Sequence, residues 1–350
     1  MSVSLGGSSE QGPAAVLPMD DASRVGEARR LAADLCARLA FDSVLAGRIA
    51  VVANELSSNL VRHAVGGRML IGARAAGDSM LIELISLDNG PGMRDPQACM
   101  RDGYSSAGSA GQGLGAVQRM ADDFDIVSRF GQGSVILARF YRDREPGGCP
   151  VRAAPVRGCT VGAVYLAAPG EQVSGDGWAI AQHDGGADVV LADGLGHGPL
   201  AADAARAALA AFAEMPCASP SQVVERAHAA LRSTRGAAVS AARLDLRGNQ
   251  IHFAGAGNVM GRVVSGTADR TLLPQHGTPG IQVRAIQEQV MDWPAYALVI
   301  LFSDGVQSRW QLDDASLLRH DPTVIAAFIV WKFGRGRDDA TVLVIRRAED

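Results

Sequence analysis

Between Arg142 and Gly158 the chain runs through proline, glycine and arginine with little apolar periodicity, and the patterning on its two sides is of different kinds. That break constrains the fold more than any other feature. At 350 residues the chain is longer than one core comfortably fills, and 47% hydrophobic with 20% charged residues is globular composition. Two domains are expected: 20–141 and 158–350, joined by a linker at 142–157 and preceded by a disordered, Ser- and Gly-rich tail at 1–19.

Before the break the period is helical. Val25, Ala28, Leu31, Leu35 and Leu39 mark one amphipathic helix over Ala22 to Ala40, and Ile49, Val52, Leu56 and Leu60 mark another over Ala46 to Ala64. Apolar strands follow over Arg68 to Ala75 and Met80 to Leu87. A glycine-rich stretch then leads to a helix at Ala116 to Asp123 and strands at Phe124 to Arg129 and Ser134 to Tyr141. After the break short strand-like runs dominate, with helices at Ala201 to Ala213, Ser221 to Leu231 and Thr323 to Trp331. The fold class is α+β, with the second domain built as two packed sheets flanked by helices.

A net charge of -4 without a Lys/Arg-rich run excludes a general electrostatic pull toward nucleic acid. No apolar run approaches the roughly 20 residues that cross a bilayer, and Met1 to Gly12 does not resemble a signal peptide. Five scattered cysteines suggest neither a disulfide framework nor a zinc site. A cytoplasmic protein with no membrane or nucleic-acid partner is expected.

In the first half, Glu55, Asn59 and His63 recur every four residues, which lines them up beside the apolar stripe of their helix. A solvated helix face would look the same. The apolar run Leu81 to Leu87 then delivers Asp88 to a strand end, followed by Asn89-Gly90-Pro91-Gly92, a turn with little side-chain bulk. An adenine ring fits there, with Asp88 accepting from its exocyclic amine, although an ordinary surface turn favours the same residues. Gly111-Gln112-Gly113-Leu114-Gly115 opens a helix, so its backbone N–H groups are suited to cradle phosphate.

In the second half, two continuous apolar runs end on carboxylates: Val189 to Ala192 on Asp193, and Ala297 to Ser303 on Asp304. Asp176 opens another strand, and Asp338 precedes Ala340 to Ile345. Each Asp-Gly taken singly is a common hairpin turn. Together they deliver several like charges to one sheet edge, which a pair of Mg²⁺ or Mn²⁺ ions would neutralise; zinc suits the set less, because thiolates and paired histidines are lacking. Two such ions can activate a bridging water against a phosphate monoester. His197 is either a proton donor to the leaving group or a loop residue shaping the mouth of the site.

The ordered segments Asn54 to Ala64, Asp88 to Met93 and Gly111 to Gly115 resemble the GHKL ATPase superfamily, and within it the anti-sigma-factor-type Ser/Thr kinases of the RsbW and RsbT kind. The resemblance implies a Bergerat-type α/β sandwich binding ATP with Mg²⁺. Asn59 would help hold the magnesium, Glu55 would be the general base, and Asp88 would read adenine. Gly90, Gly92, Gly111, Gly113 and Gly115 would shape the nucleotide pocket. The segments around Asp176, Asp193-Gly194, Gly257-Asn258, Asp304-Gly305 and Asp338-Asp339 resemble the SpoIIE/RsbX branch of the metal-dependent protein phosphatases (PPM, PP2C-like). That resemblance implies two metal ions bridged by Asp193. The Gly194 carbonyl would ligate one of them, and Asp176, Asp304 and Asp338 would complete the shell directly or through water. The two together imply a partner-switching regulator acting on a STAS-domain antagonist or stressosome scaffold, with a sigma factor or other output protein downstream. A homodimer is left open, as is an N-terminal domain that binds ATP or a partner without transferring phosphate.

Overall fold

The computed structural model describes residues 2–6, 12–76, 79–100, 113–143 and 158–348. The chain divides into two compact units: residues 14–152, and residues 153–350 together with 1–13. The expected linker falls almost entirely on 144–157, outside the described residues.

The expected disordered tail is corrected. Strand β1 (Ser2–Gly6) runs antiparallel along an edge of the second unit, with Ser2 opposite Gln182 and Gly6 opposite Trp178. Strand β2 (Ala15–Pro18) pairs with Arg68 to Ile71 of the first unit. Serine and glycine obscured β1, because adding a strand to an open sheet edge is a matter of backbone hydrogen bonds and needs no apolar pattern; β2 is only four residues long and ends on Pro18.

In the first unit β2 is followed by α1 (Ser23–Arg38), α2 (Ser43–His63), β3 (Arg68–Ala76), β4 (Ser79–Asp88), the single turn α3 (Pro96–Cys99), α4 (Gly113–Met120), β5 (Asp123–Arg129) and β6 (Gly133–Tyr141). The strands form one antiparallel sheet in the order β2-β3-β4-β6-β5. Alternate residues Met69 and Ile71 of β3, Ile82 and Leu84 of β4, and Ile136, Ala138 and Phe140 of β6 meet the helices across one core. This is the expected α/β sandwich. Helix α2 starts where Asp42 accepts hydrogen bonds from Val44 and Leu45 N–H, a cap that satisfies donors the helix cannot. Its Ile49, Val52, Leu56 and Leu60 are buried, each contributing about 1.5–3 kcal/mol, and they fix which way Glu55 and Asn59 face. Helix α4 begins three residues before the expected Ala116 and ends at Met120, whose carbonyl accepts from Arg48 Nε at 3.0 Å.

The second unit comprises β7 (Cys159–Leu166), β8 (Asp176–His183), β9 (Gly186–Gly194), α5 (Pro199–Glu214), α6 (Pro220–Ala230), β10 (Ala237–Asp245), β11 (Gln250–Ala256), β12 (Met260–Val264), β13 (Asp269–Leu272), the short ribbon β14 (Gly277–Thr278) and β15 (Gln282–Val283), β16 (Gln289–Asp292), β17 (Leu298–Phe302), α7 (Pro322–Phe333) and β18 (Ala340–Arg347). Two antiparallel sheets, β1-β8-β9-β10-β11-β16 and β13-β12-β17-β18-β7, enclose a core of Trp178, Ile180, Val189, Leu191, Phe253, Val299, Leu301, Leu343 and Ile345. Helices α5 and α6 cover the far face of the first sheet through Ala204, Ala208, Leu209, Phe212, Val223 and Val224. Helix α7 lies against β7 and β18, so close that a side chain at Gly162 would meet Thr323 N at 2.0 Å. Because both faces of β9 are covered, its sequence is continuously apolar rather than alternating.

Candidate functional sites

In the first unit α2 presents Glu55 and Asn59 to the start of α4. A Cβ on Gly113 would stand 3.7 Å from Glu55 Oε2 and 3.8 Å from Asn59 Nδ2, so both polar tips lie beside the N-terminus of that helix. Asp88 ends β4, and its Oδ1 accepts from Gly90 N–H at 2.6 Å. The turn that follows is locked: Asn89 N–H donates to the Val65 carbonyl, Gly131 N–H to the Pro91 carbonyl, and Met93 N–H to Ser128 Oγ. Gly92 has φ +62°, and a Cβ there would meet the Arg129 carbonyl at 2.0 Å, so only glycine fits. At Gly90 the obstacles are Asp88 Oδ1 and the His63 carbonyl, at 2.7 and 2.9 Å. It is the backbone of His63 that shapes this turn, while the residue itself is exposed. Gly115 is buried in α4 and Gly111 lies outside the described residues.

The second unit gathers its aspartates at one end of the sandwich. Asp176 and Asp193 stand directly opposite each other on β8 and β9, a placement in which two like charges repel. Asp304 follows β17, and Asp338 and Asp339 immediately precede β18, so the second sheet supplies the other carboxylates. Three polar residues tie the sheets together: Ser303 and Asn258, to which the sequence assigns no role, and Asp339, for which it implies a supporting one. Ser303 Oγ donates to Asp176 Oδ2 at 2.7 Å and accepts from Thr341 N–H at 3.0 Å. Asn258 Nδ2 donates to Asp304 Oδ2 at 2.7 Å. Asp339 accepts from Ala168 N–H and Gly175 N–H, at 2.8 and 2.9 Å, and so anchors the loop that carries Asp176. Gly194 and Gly305 leave no room for a side chain: a Cβ would meet the Ala201 carbonyl at 2.2 Å and the Asp339 carbonyl at 1.9 Å. His197 is exposed, with Nδ1 2.7 Å from Glu171 Oε1.

Electrostatics mark this end as a place built for cations. Burial pushes the Asp176 carboxyl up to about 7, against the hydrogen bond from Ser303, and the charges of Asp339 and Asp304 add to the rise. Burial and then the charges of Asp176, Asp304, Asp338 and Asp339 hold Asp193 well above the ordinary carboxylate range. Asp193 keeps some exposed surface, so it sits at the floor of an open cleft rather than sealed inside. Asp304 is also raised, by burial first and Asp338 second. Asp176 Oδ1 is fully buried with no hydrogen-bond partner among the described residues, although its neighbour Thr341 favours the charged form. An orphaned buried carboxylate oxygen beside another carboxylate fits a hard cation. Among the described residues no three Asp, Glu, His or Cys side chains close around one point. A magnesium-type ion suits that arrangement, because it retains several waters and needs few direct protein ligands.

A pH dependence follows. The folded Asp176 holds a proton to about pH 7, whereas an unfolded aspartate releases it near 3.9. The stability this contributes is complete below about pH 4 and is lost as pH rises through about 7. Thermal melts in chelator should therefore fall between about pH 5 and 8, while added Mn²⁺ should raise the Tm most at the upper end. In Asp176→Asn both trends should flatten; a wild-type melt independent of pH and of Mn²⁺ would refute the cation site.

Comparison with known proteins agrees with this architecture. The histidine kinase-like ATPase domain family matches residues 17–140, and the family described as Stage II sporulation protein E (SpoIIE) matches residues 183–348. The chain is 34% identical over 111 residues to the serine/threonine-protein kinase RsbT of Bacillus subtilis (strain 168), covering 32% of this chain and 84% of that one. A solved structure from work on the bacterial stressosome as a modular system adapted to control secondary messenger signalling is 29% identical with a TM-score of 0.50. It covers 54% of this chain and 99% of its own. The chain belongs to the histidine kinase-like ATPase family through its N-terminal domain, and its C-terminal domain is of the SpoIIE phosphatase type. The SpoIIE match contains Asp193, Asp304 and Asp338 and starts just after Asp176. Among the described residues no helix is long and apolar enough to cross a membrane.

Proposed function

We propose that this chain is a bifunctional regulator of protein phosphorylation. Its C-terminal domain removes phosphate from a phosphorylated Ser or Thr, and its N-terminal domain transfers phosphate from ATP to the same kind of residue. The observation that carries the reading is the facing pair Asp176 and Asp193, with an orphaned buried oxygen, at the end of the sandwich where Asp304 and Asp338 also lie.

In the phosphatase domain Asp193, Asp176, Asp304 and Asp338 would hold two Mg²⁺ or Mn²⁺ ions, with the Gly194 carbonyl beside them. When bound, such ions supply a nucleophilic water at neutral pH and neutralise charge on the phosphate. The residues of the chain do the positioning. Ser303 holds one oxygen of Asp176 and leaves the other for a cation; Asn258 orients Asp304; Asp339 anchors the loop beneath Asp176. His197 is exposed beside Glu171, which suits proton donation to a departing alkoxide at the mouth of the cleft.

In the N-terminal domain Glu55 would be the general base toward the incoming hydroxyl, and Asn59 would help hold the magnesium of ATP. Asp88 would read adenine beside the small residues Gly90 and Gly92, and Gly113 and Gly115 would line the phosphates; Gly111, expected to share that role, lies outside the described residues. The similarity to a serine/threonine-protein kinase over this domain supports transfer rather than binding alone. The substrate is a STAS-domain phosphoprotein, an anti-sigma antagonist or stressosome scaffold; similarity to a solved structure from work on the bacterial stressosome supports that choice. A sigma factor or other output protein would be the downstream partner. The test incubates the Asp193→Ala protein with Mg²⁺, γ-labelled ATP and STAS-domain proteins. Label on a Ser or Thr, removed by wild-type protein with Mn²⁺, is the expected result; ATP binding without label would reduce the N-terminal domain to a nucleotide-dependent binding module.

A further inference from the structure

Beside the aspartates the C-terminal domain carries a shallow, solvent-open depression, the arginine cavity, that none of the preceding roles uses. It has a volume of about 480 Å³ and is lined by Gln307, Ser308, Arg309, Arg335 and Arg337. Two segments build it, one following β17 and one preceding β18. They are held side by side by Arg335 N–H donating to the Gly305 carbonyl and Gln307 N–H donating to the Phe333 carbonyl, at 2.8 and 2.9 Å. All three arginines are exposed, and none forms an ion pair among the described residues.

That sets them apart from other arginines of this domain. Arg243 pairs with Asp188, Arg262 pairs with Asp269, and Arg346 donates to backbone carbonyls at Leu318 and His320. Those three side chains hold the fold together. Arg309, Arg335 and Arg337 have no comparable structural task, and their guanidinium groups lie exposed around one depression. Exposed guanidinium groups without an ion pair are suited to an incoming anion, and a guanidinium matches a carboxylate with two parallel hydrogen bonds.

The position says which anion. Arg335 N–H donates to the carbonyl of Gly305, the residue after Asp304, and Arg337 immediately precedes Asp338, so the lining adjoins the aspartates. Asp176 is buried and Asp193 half-buried at the ends of β8 and β9, whereas the three arginines are exposed. The arginines therefore stand on the rim, displaced from the centre where the scissile phosphate must lie. We propose that the cavity lined by Arg309, Arg335 and Arg337 is a docking subsite for acidic side chains flanking the phosphorylated Ser or Thr of the substrate protein. This rests on the phosphatase reading and adds a substrate preference to it.

The experiment uses the full chain with Mn²⁺ and three probes: p-nitrophenyl phosphate, a phosphoserine peptide flanked by Asp and Glu, and one of equal length flanked by neutral residues. Wild-type protein should favour the acidic peptide. Arg309→Ala/Arg335→Ala should raise KM for that peptide about tenfold, a change of about 1.4 kcal/mol, leaving kcat, the neutral peptide and p-nitrophenyl phosphate unchanged. Arg309→Glu should turn the preference toward a Lys-flanked peptide. Absence of a wild-type preference, or an equal loss on all three probes, overturns the subsite; the latter would place the arginines on the phosphate itself. If wild type hydrolyses none of the probes, the phosphatase reading fails on its own. Fluorescence anisotropy of the labelled acidic peptide then decides the subsite, with binding that survives the double substitution counting against it.

Discussion

Replacing Asp193 with asparagine should cut hydrolysis of a phosphomonoester by at least about a thousandfold, equivalent to about 4 kcal/mol of transition-state stabilisation, without unfolding the protein. Asp193 faces Asp176 across β8 and β9, and three other carboxylates, Asp304, Asp338 and Asp339, bear on it. Removing its charge removes the anion best placed to be shared by two cations. The same substitution relieves repulsion when no cation is present, so the variant should melt above wild type in chelator at about pH 8 and gain less from Mn²⁺. A protein that is more stable and inactive is not one that has merely misfolded. ATP binding to the N-terminal domain gives the internal control. Activity within tenfold of wild type, measured at saturating Mn²⁺, would remove Asp193 from the centre of the site.

The carboxylate positions were legible in the sequence because buried strands leave a strong signal. Val189 to Ala192 and Ala297 to Phe302 are apolar on both faces, and a charge that ends such a run has few places to go except the sheet edge. The helical stripe of Glu55 and Asn59 was legible for the same reason: Val52, Leu56 and Leu60 beside it fix the face. The contributions of Ser303 and Asn258 were hidden, and that of Asp339 was legible only as a supporting one, because each acts through hydrogen bonds to residues distant in sequence; Ser303 reaches Asp176 across 127 positions. Strand β1 was hidden because backbone pairing leaves no side-chain pattern, and β13 because Asp269, Arg270 and Thr271 are exposed on an edge. The arginine cavity joins residues on either side of α7, a proximity created only when β17 and β18 pair.

Replacing Glu55 with alanine should lower the rate of phosphate transfer from ATP to a protein hydroxyl by about a hundredfold to ten-thousandfold, the range that a positioned general base supplies. Affinity for ATP should stay within a few fold, because Asp88 and the turn locked by Gly90 and Gly92 are separate from Glu55. The placement makes the effect specific. Glu55 and Asn59 are one helical turn apart on α2, and both reach the first residue of α4, where helix N–H groups and partial positive charge favour phosphate. A carboxylate at that point has a proton to accept, whereas an amide has only a ligand to hold. Asn59→Ala should therefore weaken binding of Mg²⁺ with ATP as well as transfer, and Glu55→Gln should impair transfer alone. Neither change should alter hydrolysis of p-nitrophenyl phosphate, because the aspartates of the second domain are assembled entirely from β8, β9, β17, β18 and their loops. If Glu55→Ala removed both activities in a folded protein, two independent sites could not be the right description, and the kinase assignment of the first domain would have to be abandoned in favour of ATP-controlled phosphatase activity.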